Sequence, residues 1–350
     1  MNPLDLVGFS GRALRTWFGR LPSPYKLTFS VTERCNLRCR SCNIWRSRRA
    51  DELSYEEIDR FFAANPSLRW VDLTGGEITL RPDILDITRS AIRHLPHLFQ
   101  FHFPTNGTRP AEAEAVAATA VSMGVPKVVV SVSMDGPPDL HDAWRGMPGT
   151  WASAVETYLR IRDIRRAEVY FGMTLGRDNL SLIFPCLDAL ARRIPGLTAR
   201  DLHVNIAHES FYYGSPEIAP LDPPAAADAL RRFMQARGFS ANPVHLLEML
   251  YQRKVPQYLR SGHSPVPCQA LSSSLYLDPG GVVFPCTAFP ARLGSIRDTD
   301  YALDALWRSP EAVSLTADIR QKRCPGCWTP CEAYQSIIAN LPKIATWRVC

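Results

Sequence analysis

No apolar run of about 18 residues occurs in the 350-residue chain, so no transmembrane helix is expected. The N-terminus also lacks the uninterrupted apolar core of a signal peptide. Lys and Arg are scattered rather than gathered in one stripe, and a net charge of +6 is modest for this length. Nucleic acid is therefore not indicated as a partner. Charged residues make up only 21% and hydrophobic residues 46%, which excludes wholesale disorder and allows one large domain plus a smaller one. Cysteine, by contrast, is plentiful. Ten are present, three near the N-terminus, six in the tail and Cys186 apart. In a chain this long they read as metal sites in a reducing compartment, and the expected location is the cytoplasm.

The densest stretch is Cys35-Asn36-Leu37-Arg38-Cys39-Arg40-Ser41-Cys42, a CxxxCxxC loop directly after the strand-like run Tyr25–Thr32. Three thiolates on one short loop can hold three irons of a [4Fe–4S] cluster and leave the fourth open to a small molecule. A zinc site is the rival, but zinc wants four ligands in paired spacing, and no histidine lies in this loop. Gly75-Gly76-Glu77 follows the apolar run Trp70–Thr74. A further stretch, Ser133-Met134-Asp135-Gly136 through His141-Asp142 to Arg145-Gly146, reads SxDGxxxxHDxxRG.

In this combination the chain resembles the radical S-adenosylmethionine (SAM) enzymes, whose GGE motif follows the second strand. The third stretch is similar to that of members with an extra C-terminal iron–sulfur domain. The resemblance implies that Cys35, Cys39 and Cys42 hold a [4Fe–4S] cluster whose open iron chelates SAM. It also implies that Gly75, Gly76, Glu77, Asn106, Ser133, Asp135 and Arg145 bind SAM, with His141 and Asp142 fixing the loop. One departure is Ser41, where the family often has an aromatic residue near the adenine; Trp45 is the substitute within reach. The chemistry implied is one-electron cleavage of SAM to a 5′-deoxyadenosyl radical that abstracts a substrate hydrogen. A flavodoxin- or ferredoxin-type protein is the implied electron donor.

Along the chain, strand-like runs at 25–32, 69–74, 99–104, 127–134, 168–175 and 201–207 alternate with helix-like segments near 54–64, 82–94, 110–123, 149–165 and 180–193. Ser54 with Glu57 makes a capping box, and Pro82 and Pro110 suit first turns. Alternating β and α units imply a parallel sheet, and six repeats fit the partial (β/α)6 barrel of the resemblance. Chemistry in such a barrel gathers at the carboxyl ends of the strands, where these motifs fall. The expected division is 1–24 an amphipathic extension, 25–210 the core barrel, 211–262 a helical connector and 263–350 an auxiliary iron–sulfur lobe. Residues 1–21 interleave apolar residues with Arg12, Arg15 and Arg20, which reads either as a helix on the barrel or as a peripheral membrane contact.

In the tail, Cys268 and Cys286 form a CX12GX4C arrangement and Cys324 with Cys327 a CxxC. These resemble the Twitch or SPASM extension, and one auxiliary cluster on those four is the expectation. Zinc on the CxxC is the alternative, and a second cluster using Cys331 and Cys350 stays open. Asp278-Pro279-Gly280-Gly281 is hairpin-turn chemistry between 274–277 and 282–284. Cys186, on an apolar helical stretch, reads as a buried core thiol.

The function expected is oxidation or rearrangement of an unactivated C–H position in a small molecule, glycan or lipid. The second reading is a maturase of a ribosomally made peptide, forming thioether or carbon–carbon crosslinks. Such enzymes often carry an N-terminal peptide-binding domain; with 34 residues before Cys35 that domain is expected to be absent, and a separate protein could supply it. The third reading is a non-catalytic iron–sulfur electron carrier, against which the SAM-type motifs speak.

Overall fold

Six parallel strands carry the first two-thirds of the chain: β1 (Lys26–Thr32), β2 (Trp70–Gly75), β3 (Gln100–Thr105), β4 (Lys127–Ser133), β5 (Ala167–Leu175) and β6 (Leu202–Ile206). They lie in the spatial order β6-β5-β4-β3-β2-β1. The structure, a computed structural model, describes residues 11, 15–16, 19–47, 51–214 and 219–344. Most of the amphipathic stretch expected at 1–24 lies outside them, as does Cys350. Every residue of β1 is buried, as a strand covered on both faces must be.

The connecting helices are α1 (Tyr55–Ala64), α2 (Ile84–His94), α3 (Pro110–Ser122), α4 (Pro138–Arg145), α5 (Thr150–Arg162) and α6 (Ile183–Arg193). Ser54 and Glu57 form the expected capping box on α1, and Pro110 opens α3. Pro82 precedes α2 rather than lying in its first turn. Helix α4 was read as loop, although Pro138 at its first position and Gly146 (φ +72°) past its end are start and stop signals. Phe29 packs against Phe61 and Phe62 of α1 at ring-centroid distances of 5.9 and 6.2 Å.

The C-terminal part is not a detached lobe. After α7 (Pro223–Arg237) and α8 (Pro243–Ser261), strand β7 (Ser274–Leu277) runs parallel to β1, pairing Lys26 with Ser274 through Phe29 with Leu277. Strands β8 (Val282–Phe284) and β9 (Gly294–Ser295) add antiparallel, so nine strands form one sheet. The helices α9 (Leu303–Arg308), α10 (Pro310–Arg320) and α11 (Pro330–Ile344) follow. At the far side, α8 covers the exposed edge of β6. Glu248 accepts the Val204 N–H (3.0 Å) and Gln252 Nε2 donates to the Val204 carbonyl (3.4 Å), so the edge is paired by helix side chains.

Lys26 clamps this assembly from inside. Its side chain is fully buried, pairs with Asp72 at 3.1 Å, donates to Gln335 (3.0 Å) and the Cys331 carbonyl on α11, and lies 4.6 Å from the Trp70 ring centre. Burial alone would raise Asp72, but Lys26, His102 and Trp70 outweigh it and hold its carboxyl at about 2. Removing one partner strands a buried charge, so Lys26→Ala is expected to cost about 3–5 kcal/mol in urea unfolding. A loss under about 1 kcal/mol would mean that water reaches Asp72 and the clamp is not closed.

Candidate functional site

The CxxxCxxC loop is gripped on both sides by backbone. Thr32 O accepts the Gly76 N–H and Arg34 O accepts the Glu77 N–H, each at 2.8 Å. A Cβ on Gly75 or Gly76 would sit 2.2 Å from those same two oxygens, and Gly75 has φ +147°. The paired glycines let the exit of β2 press against the chain leading into Cys35; their close approach is to backbone. From the other side, Arg38 N–H donates to Arg145 O (3.2 Å), Arg40 N–H to Trp144 O (3.0 Å) and Asn43 N–H to Tyr213 O (2.8 Å). Cys35, Cys39 and Cys42 are partly exposed on this loop. Burial pushes the Cys35 thiol up to about 11 and Cys42 to about 12. Thiols so desolvated ionise readily only against a metal, which a cluster supplies.

A cavity of about 400 Å³ opens beside the loop, lined by Cys35, Asn36, Arg38, Trp45 and Arg46. Trp45 Nε1 donates to Cys42 O (3.1 Å), and the Arg38 and Arg46 guanidinium carbons lie 5.5 and 5.0 Å from its ring. Trp45 thus brings an aromatic surface to the cavity despite Ser41. Arg38, Arg40 and Arg46 are exposed, a local concentration of positive charge that a whole-chain count conceals.

The other motifs meet here at the ends of β2, β3 and β4. Asn106 Nδ2 donates to Asn36 Oδ1 (2.9 Å) and lies 4.0 Å from Cys35 Sγ. Arg145 pairs with Asp135 at 2.5 Å and points Nη1 at Cys39 Sγ, 3.7 Å away. Ser133 ends β4 and pairs in register with Gly172. Glu77 is turned inward: it accepts from Asn106 N (2.6 Å), Thr79 Oγ1 (2.7 Å) and Thr105 Oγ1 (3.0 Å). Glu77 thereby holds Asn106 in place. Asp142 accepts from Thr150 Oγ1 and Trp151 N, both at 2.8 Å, and so fixes the start of α5.

His141 is fully buried and its Nδ1 accepts the Asp135 N–H at 3.0 Å, which requires the neutral ring. Burial, and then Arg145, depress it to about 4. Against an unfolded value near 6.5, its contribution is present above about pH 6.5 and lost as pH falls to about 4, roughly 3 kcal/mol in all. The expected result is a flatter acid limb for His141→Gln in urea unfolding between those pH values. Parallel pH curves for the two proteins would refute it.

In the tail, Cys268, Cys286, Cys324 and Cys327 line one cavity of about 490 Å³. Burial raises the Cys268, Cys286 and Cys327 thiols, Cys327 to about 12. Among the described residues no three His, Cys, Asp or Glu side chains gather tightly enough for a single metal ion. Thiols spread around a cavity this large fit the corners of a polynuclear cluster better than one zinc, whose sulfur ligands crowd within about 2.3 Å of it. Cys331 does not line that cavity. Cys331 is half-buried, with Lys26, Asp72, Glu332 and Cys327 as its titratable neighbours. Cys186 is buried in the core.

The family model of the radical SAM superfamily matches residues 29–181, and that of the iron–sulfur cluster-binding domain called SPASM matches 268–331. The chain is a radical SAM protein with a SPASM domain. Its cofactors are therefore SAM, a [4Fe–4S] cluster and auxiliary iron–sulfur in the SPASM domain. It is 25% identical over 300 residues to the antilisterial bacteriocin subtilosin biosynthesis protein AlbA of Bacillus subtilis (strain 168), covering 83% of this chain but 60% of AlbA. A GTP 3′,8-cyclase of Bradyrhizobium diazoefficiens is 34% identical over 135 residues, 37% of this chain and 38% of the cyclase. Streptococcus suis SuiB bound to S-adenosylmethionine shares the fold, with TM-score 0.61 at 14% identity over 91% of this chain and 74% of that one.

Two residues tie the radical SAM core to the SPASM domain, and their roles were not legible in sequence. His208 Nε2 accepts the N–H of Trp328, next to Cys327, at 2.9 Å while Nδ1 bonds Ile206 O at 2.8 Å. Tyr212 OH donates to Gly75 O (3.0 Å) and meets Thr74 Oγ1 (2.8 Å), and its ring lies 5.5 Å from that of Tyr276 on β7. Trp328 and Gly75 lie 120 and 137 residues from His208 and Tyr212, so no local pattern announces these contacts. Among the described residues no helix is long and apolar enough to cross a membrane.

Proposed function

We propose that this radical SAM protein modifies a peptide, forming a thioether or carbon–carbon crosslink. The observation that carries this is the extent of the AlbA match, which spans 83% of the chain, whereas the cyclase match covers 37%. A relative aligned over most of the chain is a better guide to substrate than one aligned over about a third of it. SuiB, which shares the fold, has also been captured with its precursor peptide SuiA. This favours the peptide reading over oxidation of a small molecule, glycan or lipid.

Cys35, Cys39 and Cys42 would hold the SAM-binding cluster, and Cys268, Cys286, Cys324 and Cys327 the auxiliary one. When bound, these groups and SAM supply hydrogen-atom abstraction from an unactivated C–H bond. The chain's own part is positional. Gly75 and Gly76 root the cysteine loop, and Glu77 sets Asn106 beside Cys35. The Asp135–Arg145 pair and Ser133 would meet the polar groups of SAM, and Trp45 would cover its base. The exposed Arg38, Arg40 and Arg46 suit a substrate segment carrying carboxylates.

The test is to give the reconstituted, reduced protein SAM with short peptides, acidic and neutral, and with glycans and lipids in parallel. The expected result is peptide-dependent release of 5′-deoxyadenosine and a peptide lighter by two hydrogens per crosslink. Mass change confined to a glycan or lipid would restore the other reading. No SAM cleavage under any condition would point to an electron carrier.

A further inference from the structure

At the end of the barrel opposite the cysteine loop, the fold gathers charge that the sequence disperses. The chain between α5 and β5 and the chain between α6 and β6 both lie there, since each leads into the amino end of a strand. Residues 162–166 and 192–201 hold Arg162, Arg165, Arg166, Arg192, Arg193 and Arg200 against two carboxylates, Asp163 and Asp201. All six arginines are exposed. Among the described residues none of them forms an ion pair, whereas neighbouring Arg160 has Glu114 and Glu156. The two segments meet: the Arg162 guanidinium carbon lies 5.9 Å from the Tyr158 ring centre, and Tyr158 OH donates to Asp201 at 2.8 Å. Asp201 also accepts from Thr198 N (2.9 Å) and Oγ1 (3.0 Å). The helix dipole accounts for Arg162, Arg192 and Arg193, which sit in the last turns of α5 and α6. It does not account for Arg165, Arg166 or Arg200.

Two of the few large apolar side chains left in water stand on the same rim. Phe239, in the connection between α7 and α8, is 75% exposed. Arg200 holds that connection against the entrance of β6, donating from Nε to Arg237 O (3.0 Å) and from Nη2 to Phe239 O (2.8 Å). Met123, 41% exposed, ends α3 just before the chain turns into β4. Single apolar tips among unpaired arginines do not make the contiguous apolar core of a protein interface. They match a bilayer surface, where guanidiniums meet lipid phosphates and apolar tips enter the headgroup boundary. The chain also enters β1 from this end, and the sequence before it interleaves apolar residues with Arg12, Arg15 and Arg20.

We propose that this rim docks on an anionic lipid surface, with the six arginines on phosphates and Phe239 and Met123 among the headgroups. The cysteine loop, at the carboxyl end of β1, then faces away from the lipid. The lipid is a support here and not a substrate, so the docking is independent of what the enzyme modifies.

The experiment floats the reconstituted holoprotein with vesicles of phosphatidylcholine alone and of phosphatidylcholine mixed with phosphatidylglycerol. The expected result is flotation with the anionic vesicles only, weakening as added salt shortens the range of the attraction. Arg165→Glu/Arg192→Glu should weaken binding at least about tenfold, because each basic residue near such a surface adds to the attraction. Phe239→Ser should weaken it severalfold without changing its salt dependence, since apolar insertion is not screened. Arg38→Glu/Arg40→Glu makes the same charge change at the opposite end and should keep the binding. No flotation with either vesicle, flotation unchanged by Arg165→Glu/Arg192→Glu, or an equal loss in Arg38→Glu/Arg40→Glu would each overturn the rim as a lipid site. Binding to heparin but to neither vesicle would assign the rim to an acidic macromolecule and overturn it too.

Discussion

Cys35→Ala, Cys39→Ala and Cys42→Ala are each expected to abolish release of 5′-deoxyadenosine from SAM, while the protein folds and keeps its C-terminal iron. Three protein ligands are the minimum on this loop, because the fourth iron must stay open for SAM, so losing one leaves two. Iron per chain should drop by about four, the content of one [4Fe–4S] cluster. Stability should change little, since the loop is partly exposed and its position is set by backbone bonds to Thr32, Arg34, Trp144 and Arg145 rather than by the thiols. Iron and sulfide assays with a SAM-cleavage assay under reductant check this. Cleavage at the parent rate in any one variant would sink the assignment of the loop.

The second large effect is expected at the other end of the chain. Cys286→Ser or Cys324→Ser should leave SAM cleavage measurable but end the proposed crosslinking, because the cavity those thiols line is separate from the Cys35–Cys42 loop. Iron should fall from about eight to about four per chain. Cys331→Ser is the discriminating control. Its thiol lies outside the four-cysteine cavity and beside Lys26 and Glu332, so that variant should keep about eight irons. The SPASM match nonetheless runs as far as residue 331. An iron content near about twelve that falls in Cys331→Ser would reveal a second auxiliary cluster, with Cys350 the next cysteine to test. Parent-rate crosslinking by Cys286→Ser or Cys324→Ser would make the auxiliary site structural only.

Much of this protein was written in local chemistry. Alternating apolar runs and capped, proline-opened helices placed six strands and five of the six helices between them to within a few residues, because strand and helix periods and caps depend on near neighbours. The spacing of Cys35, Cys39 and Cys42 and the turn at Asp278–Gly281 were legible for the same reason. Tertiary structure decided what depends on distant partners. It set β7 beside β1, which made the tail part of the barrel's sheet. It also gave the close approach of Gly75 and Gly76 to the backbone of Thr32 and Arg34. The bracing of Asn106 by Glu77 was not legible either, because only the fold brings Thr105 and Asn106 onto its carboxylate. The place of Cys331 outside the four-cysteine cavity was likewise invisible, since α11 begins at Pro330 and Lys26, some three hundred residues earlier, holds the Cys331 carbonyl. A side chain's type fixes what it can bind; which groups it meets is set by packing and charge compensation across the whole chain.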